Sequence, residues 1–476
     1  NFAFDMARTS LESKLPDVHR EYAIFLEENG RFKDAEEEYI NAQCPREAVD
    51  MWILQNEYNH AMRVAQTFDP TLINYVVEKR DGIDPTMQGD DDDDVPTTIQ
   101  IAGQESDVDS DEDDDMHGHM PSRVKPVENK DSMLGNDNAD VISKIKALGK
   151  QHRFSEMMDL AEKHDVLDDS ILMIYVRHLI SKDYKYEKAL EVMKTYSMYP
   201  VSDPSNLSLF RKLARRVFWI HPDPSKEVVE TLLTLLREIE KKQANAPYYK
   251  KEMRHYKTIA HLMYMQHVLK DTIPELYAKA CVSLLRYCDV IPPDRAFYLA
   301  GESCKNVNEM DMSFVFLSRY LDVVEALDDL PEPTPKPNAD EPLIRNTVEL
   351  ENSEFLKSDI PYNVPIPVKP YLDEDEKDRV TDDVLQAAIS QSEPSLPTRA
   401  CPNPQCSSEG DDYVASLSCY ECKFKYDSCI ITGYPVPEKD RVYCSNCHVP
   451  AVRSHWNSYI LKFKSCPNCH SNQLTK

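Results

Sequence analysis

The sequence has little glycine: 10 of 476 residues, against 32 prolines. Sheet-rich sandwiches and barrels need many tight turns, whereas abundant Leu, Ala, Glu and Lys favour helices. No run of about 18 apolar residues and no secretory signal is present, so we expect no membrane insertion. The chain is too long for a single core, which predicts several units or a solenoid that grows with each repeat.

Positive charge is also in deficit, because the formal net charge is -28. An acidic chain repels phosphates, so we expect no nucleic-acid partner. The sequence has no nucleotide-binding loop, catalytic triad or dinucleotide fingerprint, which predicts a protein that is not an enzyme. It begins at Asn1 without an initiator Met, and we interpret it as the C-terminal part of a longer protein.

Residues 1–88 show a helical-repeat pattern. Four apolar side chains fall on one helical face: Val18, Tyr22, Phe25 and Leu26. Residues 30–42 fit Gly-x-Phe-x-x-Ala-x-x-x-Tyr-x-x-Ala, the second half of a tetratricopeptide repeat, and a weaker copy includes Tyr58, Ala61 and Ala65. Two helices cross closely over such small Ala side chains. The pattern predicts an all-α, tetratricopeptide-like solenoid that resumes over residues 139–326.

Two segments interrupt this pattern. Residues 89–138 form an acidic insert, predicted to be disordered, in which Ser106 and Ser110 resemble targets of an acidophilic kinase. Residues 327–399 are rich in Pro and acids and are interpreted as a linker, extended in part against the solenoid.

Nine of the thirteen cysteines lie beyond residue 400. Eight form four pairs: Cys401/Cys406, Cys419/Cys422, Cys444/Cys447 and Cys466/Cys469. Two such knuckles supply the four thiolates of a tetrahedral zinc site. Residues 400–476 are therefore predicted to hold two structural zinc ions in a small α+β module, with disulfides as the alternative. Metal binding would supply most of its folding free energy, on the order of 10 kcal/mol per site.

The spacing leaves two pairings open. Sequential pairing joins the first knuckle with the second and the third with the fourth, as in zinc ribbons, whereas a RING cross-brace joins alternate knuckles. The long stretch at 423–443 favours the sequential arrangement. Four further candidate ligands remain: Cys429, His448, His455 and His470. We interpret Cys429 as a buried small side chain and the histidines as surface or knuckle residues.

Several segments together resemble the intraflagellar transport protein 172 family. They are SLLRYCDVIPPDRAFY at 283–298, FVFLSRYLD at 314–322, GRFKDAEEEY at 30–39, PREAV at 45–49, DIPY at 359–362 and CIITGYP at 429–435. The resemblance implies a scaffold subunit of intraflagellar transport complex B, carried in ciliary trains in the cilium or flagellum and at its base. Its implied partners are other complex B subunits, complex A and cargo adaptors.

The tail of that family has been likened to a U-box, the metal-free relative of RING, although knuckle cysteines are present here. The likeness implies a weak ubiquitin-ligase-like or ubiquitin-binding role as an alternative. Four side chains match the apolar points that grip a ubiquitin-conjugating enzyme: Ile430 or Ile431, Trp456 and Pro467. The competing interpretation is that these residues form the core of the module. A vesicle-coat or tethering subunit is the second alternative, because such proteins also join helical solenoids to zinc tails.

Overall fold

A computed structural model describes eleven stretches of the chain: 14–28, 31–55, 57–81, 134–201, 206–242, 247–330, 344–349, 355, 357–390, 395–406 and 412–476. Two compact units are distinguished, one comprising Asn1–Pro70 with Asp168–Lys476 and the other Thr71–Leu167. Ser106, Ser110 and nearly all of the predicted acidic insert lie outside the described residues. Among the described helices, none combines the length and apolarity needed to cross a membrane.

The first unit begins with four short helices: α1 (Leu15–Glu28), α2 (Phe32–Asn41), α3 (Pro45–Leu54) and α4 (Tyr58–Phe68). Helix α1 packs on α2, and α3 packs on α4. The small and aromatic residues of the repeat motif are buried: Ala35, Tyr39, Ala42, Tyr58, Ala61 and Ala65. The repeat interpretation is confirmed at these positions, where Ala permits close approach of the helices.

The second unit contains α5 (Ile73–Asp81), α6 (Leu134–Lys150) and α7 (Phe154–Lys163). Helices α6 and α7 pack together. Their buried side chains include Ile145, Met157 and Ala161. Helix α6 starts at Leu134, four residues before the predicted end of the acidic insert at residue 138.

The first unit continues with eight further helices. They are α8 (Asp169–Ser181), α9 (Tyr186–Thr195), α10 (Leu207–Phe218), α11 (Lys226–Lys242), α12 (Pro247–Leu269), α13 (Pro274–Leu284), α14 (Pro293–Asn306) and α15 (Met310–Asp328). Neighbours in sequence are mostly neighbours in space, as expected of helical repeats: α8 with α9, and α11 through α15 in series. The mostly helical fold class is therefore confirmed.

A buried charge cluster joins the early helices to the later ones within this unit. Arg211 of α10 contacts Glu27 at 3.0 Å and Glu47 at 3.6 Å. Arg20 contacts Glu47 at 3.2 Å and Glu252 of α12 at 2.9 Å. Desolvation alone would raise the pKa of the Glu252 carboxyl, but the two guanidinium groups outweigh it and lower that pKa. The cluster fixes α1 and α3 against α10 and α12.

The segment predicted as a linker is more ordered than expected. Strands β1 (Ile344–Glu349) and β2 (Asn363–Pro367) form an antiparallel hairpin, and β2 packs on α14 and α15. A further helix, α16 (Glu374–Ser390), packs on α15 through buried Val380. Three acids in its first turn stabilise the positive end of the helix dipole, which explains why an acid-rich stretch is helical.

Candidate metal centres

Short strands and one helix build the C-terminal module, residues 400–476. Strand β3 (Thr398–Arg399) pairs with β4 (Asp412–Tyr413), next to the first two cysteine pairs. Strand β5 (Arg441–Tyr443) pairs with β6 (Pro450–Val452), which leads directly into α17 (Arg453–Phe463). Each two-stranded ribbon therefore carries one knuckle between its strands, and the other two knuckles lie in separate turns flanked by isolated bridges.

The structure gathers the eight cysteine thiols into two groups. One comprises Cys401, Cys406, Cys419 and Cys422, and the other comprises Cys444, Cys447, Cys466 and Cys469. Within each group all four Sγ atoms lie within 4.8 Å of one another. This is the sequential grouping and not the cross-brace, because consecutive knuckles along the chain share a site.

The thiol distances fit tetrahedral zinc. The Sγ atoms of Cys401 and Cys422 are 3.6 Å apart, and those of Cys444 and Cys469 are 3.7 Å apart. A zinc–sulfur bond of about 2.3 Å gives a tetrahedron with edges of about 3.8 Å. A disulfide would instead bring the sulfurs to about 2.05 Å, and the cysteines are free. The donor set is therefore that of a closed structural zinc site, with no place for a reacting water.

Backbone amides are placed to stabilise thiolates in the second group. The amide of Asn446 donates to the sulfur of Cys444, and that of Asn468 to the sulfur of Cys466, both at 3.4 Å. Hydrogen bonds to the charged form of a ligand favour that form and hold it in orientation. These contacts come from the tight knuckle turns and support metal binding at this site.

The two groups differ in exposure. Cys422 is exposed and Cys401 and Cys406 are partly exposed, whereas Cys444 and Cys466 are fully buried. Because Cys419 of the first group is also fully buried, and Cys447 and Cys469 of the second are partly exposed, the first site is only somewhat nearer the surface than the second.

The C-terminal module packs on α12 and α13 through a continuous apolar core. Met265, Leu269 and Leu276 from the helices join Trp456 and Ile460 from α17 in this core. Since α12 and α13 belong to the repeat region, the module is docked and not merely tethered.

Polar contacts also cross this interface. The imidazole of His261 on α12 donates through Nε2 to the carbonyl of Ile430, at 2.7 Å. Burial lowers the pKa of this imidazole to about 4, although the hydrogen bond acts in the opposite direction. His261 is therefore neutral at pH 7 and serves as an uncharged donor across the interface.

Three of the four residues matched to a conjugating-enzyme face lie in or against this docked core: Ile430, Ile431 and Trp456. Ile431 and Trp456 are fully buried, Pro467 is buried and Ile430 is half-buried. The match stays a prediction, and a conjugating enzyme could not reach these side chains while the module is docked in this way. Helical spacing in the sequence shows which side chains share a face, but not that α12 and α13 cover it. The competing interpretation, a core for the small module, describes their placement.

The leftover cysteine and histidines take different positions. Cys429 is buried, as expected of a small apolar side chain, and lies in neither thiol group. His448 and His470 are exposed and directly follow knuckle cysteines. His455 is a correction, because it is only 6% exposed at the start of α17. Its imidazole contacts Thr432 and Lys279, two residues to which no role was assigned from the sequence.

Comparison with known proteins agrees with this geometry. Residues 427–473 match the family described as "IFT121, second zinc finger domain". The chain is 24% identical to intraflagellar transport protein 172 of Chlamydomonas reinhardtii, with 98% of this chain and 35% of that protein covered. The homologs from Danio rerio and Homo sapiens are also 24% identical, with 92% of this chain and 22% of each relative covered.

These similarities confirm the resemblance to the intraflagellar transport protein 172 family. The zinc-finger match and the two four-cysteine groups also confirm the predicted cofactor, two structural zinc ions. The chain spans about a fifth to a third of the length of these curated relatives.

Proposed function

We propose that this chain is a scaffold section of an intraflagellar transport protein, in complex B of ciliary trains. The observation that carries the proposal is similarity to proteins of that name along nearly the whole chain, in species from a green alga to vertebrates. The section works by protein–protein contact and performs no chemistry of its own. Its location is the cilium or flagellum and its base, on the cytoplasmic side.

The fold supports a scaffold role. Stacked helical repeats present long surfaces to partners, and each repeat can change its outer side chains without disturbing its neighbours. Other complex B subunits, complex A and cargo adaptors are the proposed partners. The strongly acidic balance of the chain favours partner surfaces that carry basic side chains.

The eight knuckle cysteines are the proposed zinc ligands, four to each ion. In the first site they are Cys401, Cys406, Cys419 and Cys422, and in the second Cys444, Cys447, Cys466 and Cys469. Both ions hold short ribbons that bury too little surface to fold alone. The second ion in addition supports the apolar face that docks on α12 and α13. Zinc therefore has a structural role in shaping the end of the scaffold.

Ciliary imaging tests this proposal. The endogenous protein, tagged at its C-terminus in ciliated cells, is expected to move along the axoneme in both directions and to be enriched at the ciliary base. Tagged protein that stays on cytoplasmic vesicles and never enters cilia would contradict the proposal and favour the coat or tethering alternative.

A second experiment separates the scaffold role from catalysis. Complexes purified through the tag are expected to contain train subunits in stable proportion. Ubiquitin transfer by the purified chain, abolished by Trp456→Ala with zinc content and fold unchanged, would contradict a non-catalytic role. Because Trp456 lies in the docked core, unchanged fold has to be shown by circular dichroism in the same preparation.

A further inference from the structure

Four turns of the C-terminal module share one backbone geometry: 419–424, 429–434, 444–449 and 466–471. In each, the amide of the first residue donates to the carbonyl five residues later, and the amide of the fifth residue donates back to the first carbonyl, all at 2.7–3.1 Å. The fifth residue always has a positive φ, between 54° and 74°. The flanking residues pair in antiparallel fashion in every case.

Three of these turns are the strict knuckles, with cysteine at the first and fourth positions. The turn at 429–434 has Cys429 at the first position and Thr432 at the fourth. Its backbone is therefore that of a zinc knuckle, but its ligand set is incomplete. Its fifth residue is Gly433, where a Cβ atom would lie 2.7 Å from Cβ of Ser283 on α13. The turn thus lies directly against the helical region.

A histidine from α17 lies where a third ligand would lie relative to this turn. Nδ1 of His455 is 3.0 Å from the Thr432 hydroxyl and 3.8 Å from the Cys429 sulfur. All three residues are buried. Three side chains with ligand atoms therefore converge, as they do around an ion.

The cation at this site comes from the helical region. Nζ of Lys279, on α13, lies 3.0 Å from Nε2 of His455 and 5.8 Å from the centre of the Tyr434 ring. Burial lowers the pKa of His455 to about 3, and the nearby ammonium acts in the same direction, so the ring is neutral. The ammonium donates to Nε2, which leaves the proton on Nδ1 to be donated to Thr432. No ring lone pair is then free for a metal.

We infer that the turn at 429–434 is a third knuckle that holds no metal ion, in which a hydrogen-bond chain from the ammonium group of Lys279 through His455 to Thr432 latches the C-terminal module to α13. In the two zinc sites the cation joins parts of the module to one another. At the third knuckle the cation belongs to the repeat region, and it joins the module to the scaffold. Lys279 is therefore a positioning residue, and the module docks in one fixed orientation without a third metal.

Hydrogen exchange of the full chain tests the latch. In Lys279→Met, amides of residues 428–436 are expected to exchange at least about tenfold faster, since a hydrogen bond from a charged group is lost. Lys462→Met is the matched control, because Lys462 donates to the Thr272 carbonyl across the same interface at 3.0 Å but is exposed. The control should change exchange less than about twofold. Equal effects of the two substitutions, or none from Lys279→Met, would overturn the inference.

Metal counting provides a test that does not depend on the stability of a variant. Native mass spectrometry of the wild-type chain should show two bound metals at saturating zinc or cobalt. A third metal that is lost on Cys429→Ser would overturn the inference.

Restoring the ligand set provides a gain-of-function test. The double variant Thr432→Cys with Lys279→Met is expected to bind a third cobalt ion with tetrahedral visible bands, through two thiolates, the His455 imidazole and one water. Thr432→Cys alone should bind only two, because Lys279 still holds the ring tautomer. Binding of only two ions by the double variant, or of three by the single variant, would also count against the latch.

Discussion

Arg286 joins the helical region to two segments of the C-terminal module. Its guanidinium donates to the Ala415 carbonyl at 2.7 Å and to the Gly433 carbonyl at 3.2 Å, and it pairs with Asp359 at 3.3 Å. The Arg286 side chain is only 6% exposed. Removing one partner of a buried ionic cluster leaves the others without compensation, which usually costs about 3–5 kcal/mol.

We therefore expect Arg286→Leu to lower the free energy of unfolding by several kcal/mol, as measured by urea denaturation of the full chain with zinc present. Asp359→Asn is the matched control, because it removes the ion pair but leaves both carbonyl contacts of Arg286. Its effect should be clearly smaller. Equal losses of unfolding free energy in the two variants would show that the stabilisation comes from the ion pair with Asp359 and not from the two carbonyl contacts of Arg286.

For individual residues, spacing in the sequence was enough to predict which eight cysteines come together and the sequential grouping that the structure shows. The thiol-to-thiol geometry follows from local turns, which the sequence encodes directly. Local sequence could not predict the burial of Ile431, Trp456 and His455, because it depends on helices about 150 to 200 residues earlier in the chain. Lys279 likewise has no local signal, since only the docked fold brings it to His455.

Among the elements, α1 and α16 depart most from the expectations. The predicted apolar face of α1 included Tyr22, which is 37% exposed, whereas Ala23, Ile24 and Leu26 are buried. The small Ala was not counted in the pattern, so the predicted face was rotated. Helix α16 was interpreted as linker because acids dominate its composition, although one buried Val380 and a favourable first turn are enough to dock it.

Hydrogen exchange checks whether α16 is a docked helix. Amides over residues 380–390 are expected to be protected in the full chain, and Val380→Asp should remove that protection because a charge would replace a buried side chain. Thr381→Ala, one residue along, should leave protection nearly unchanged. Rapid exchange throughout 374–390 in the wild type would restore the linker interpretation.

Docking of the C-terminal module on α12 is expected to weaken in acid. The pKa of His261 is about 4 in the folded chain and about 6.5 when unfolded. Between these values the unfolded state binds more protons, so stability is complete above pH 6.5 and falls as the pH drops. From pH 7.5 to 5.5 the loss from this group should be about 1 kcal/mol.

His261→Gln keeps a donor for the Ile430 carbonyl but does not titrate. Unfolding measured at several pH values, with zinc content monitored, should therefore show a shallower pH dependence for this variant than for the wild type. The same slope in both proteins would mean that His261 does not contribute to acid sensitivity.

For the whole molecule, composition alone predicted the main division into helical repeats and a cysteine-rich end. Low glycine, repeated Ala positions and four knuckles each have a local physical cause. The buried cluster that links Arg20 to Glu252 and Arg211 to Glu27 could not be predicted, because it joins residues 184 and 232 positions apart. Strand β2 lies extended against α14 and α15, as expected for part of this segment, but its pairing with β1 was not predicted, since strand pairing has no local signal in a segment rich in Pro and acids.

The central claim is that this scaffold ends in a module built on two four-thiolate zinc sites. Native mass spectrometry of the purified chain, with its intact mass after denaturation, measures this most directly. The account predicts two zinc ions per chain and a denatured mass with every cysteine reduced. A chain that carries no zinc, with its mass lowered by the hydrogens lost to disulfides, would contradict it.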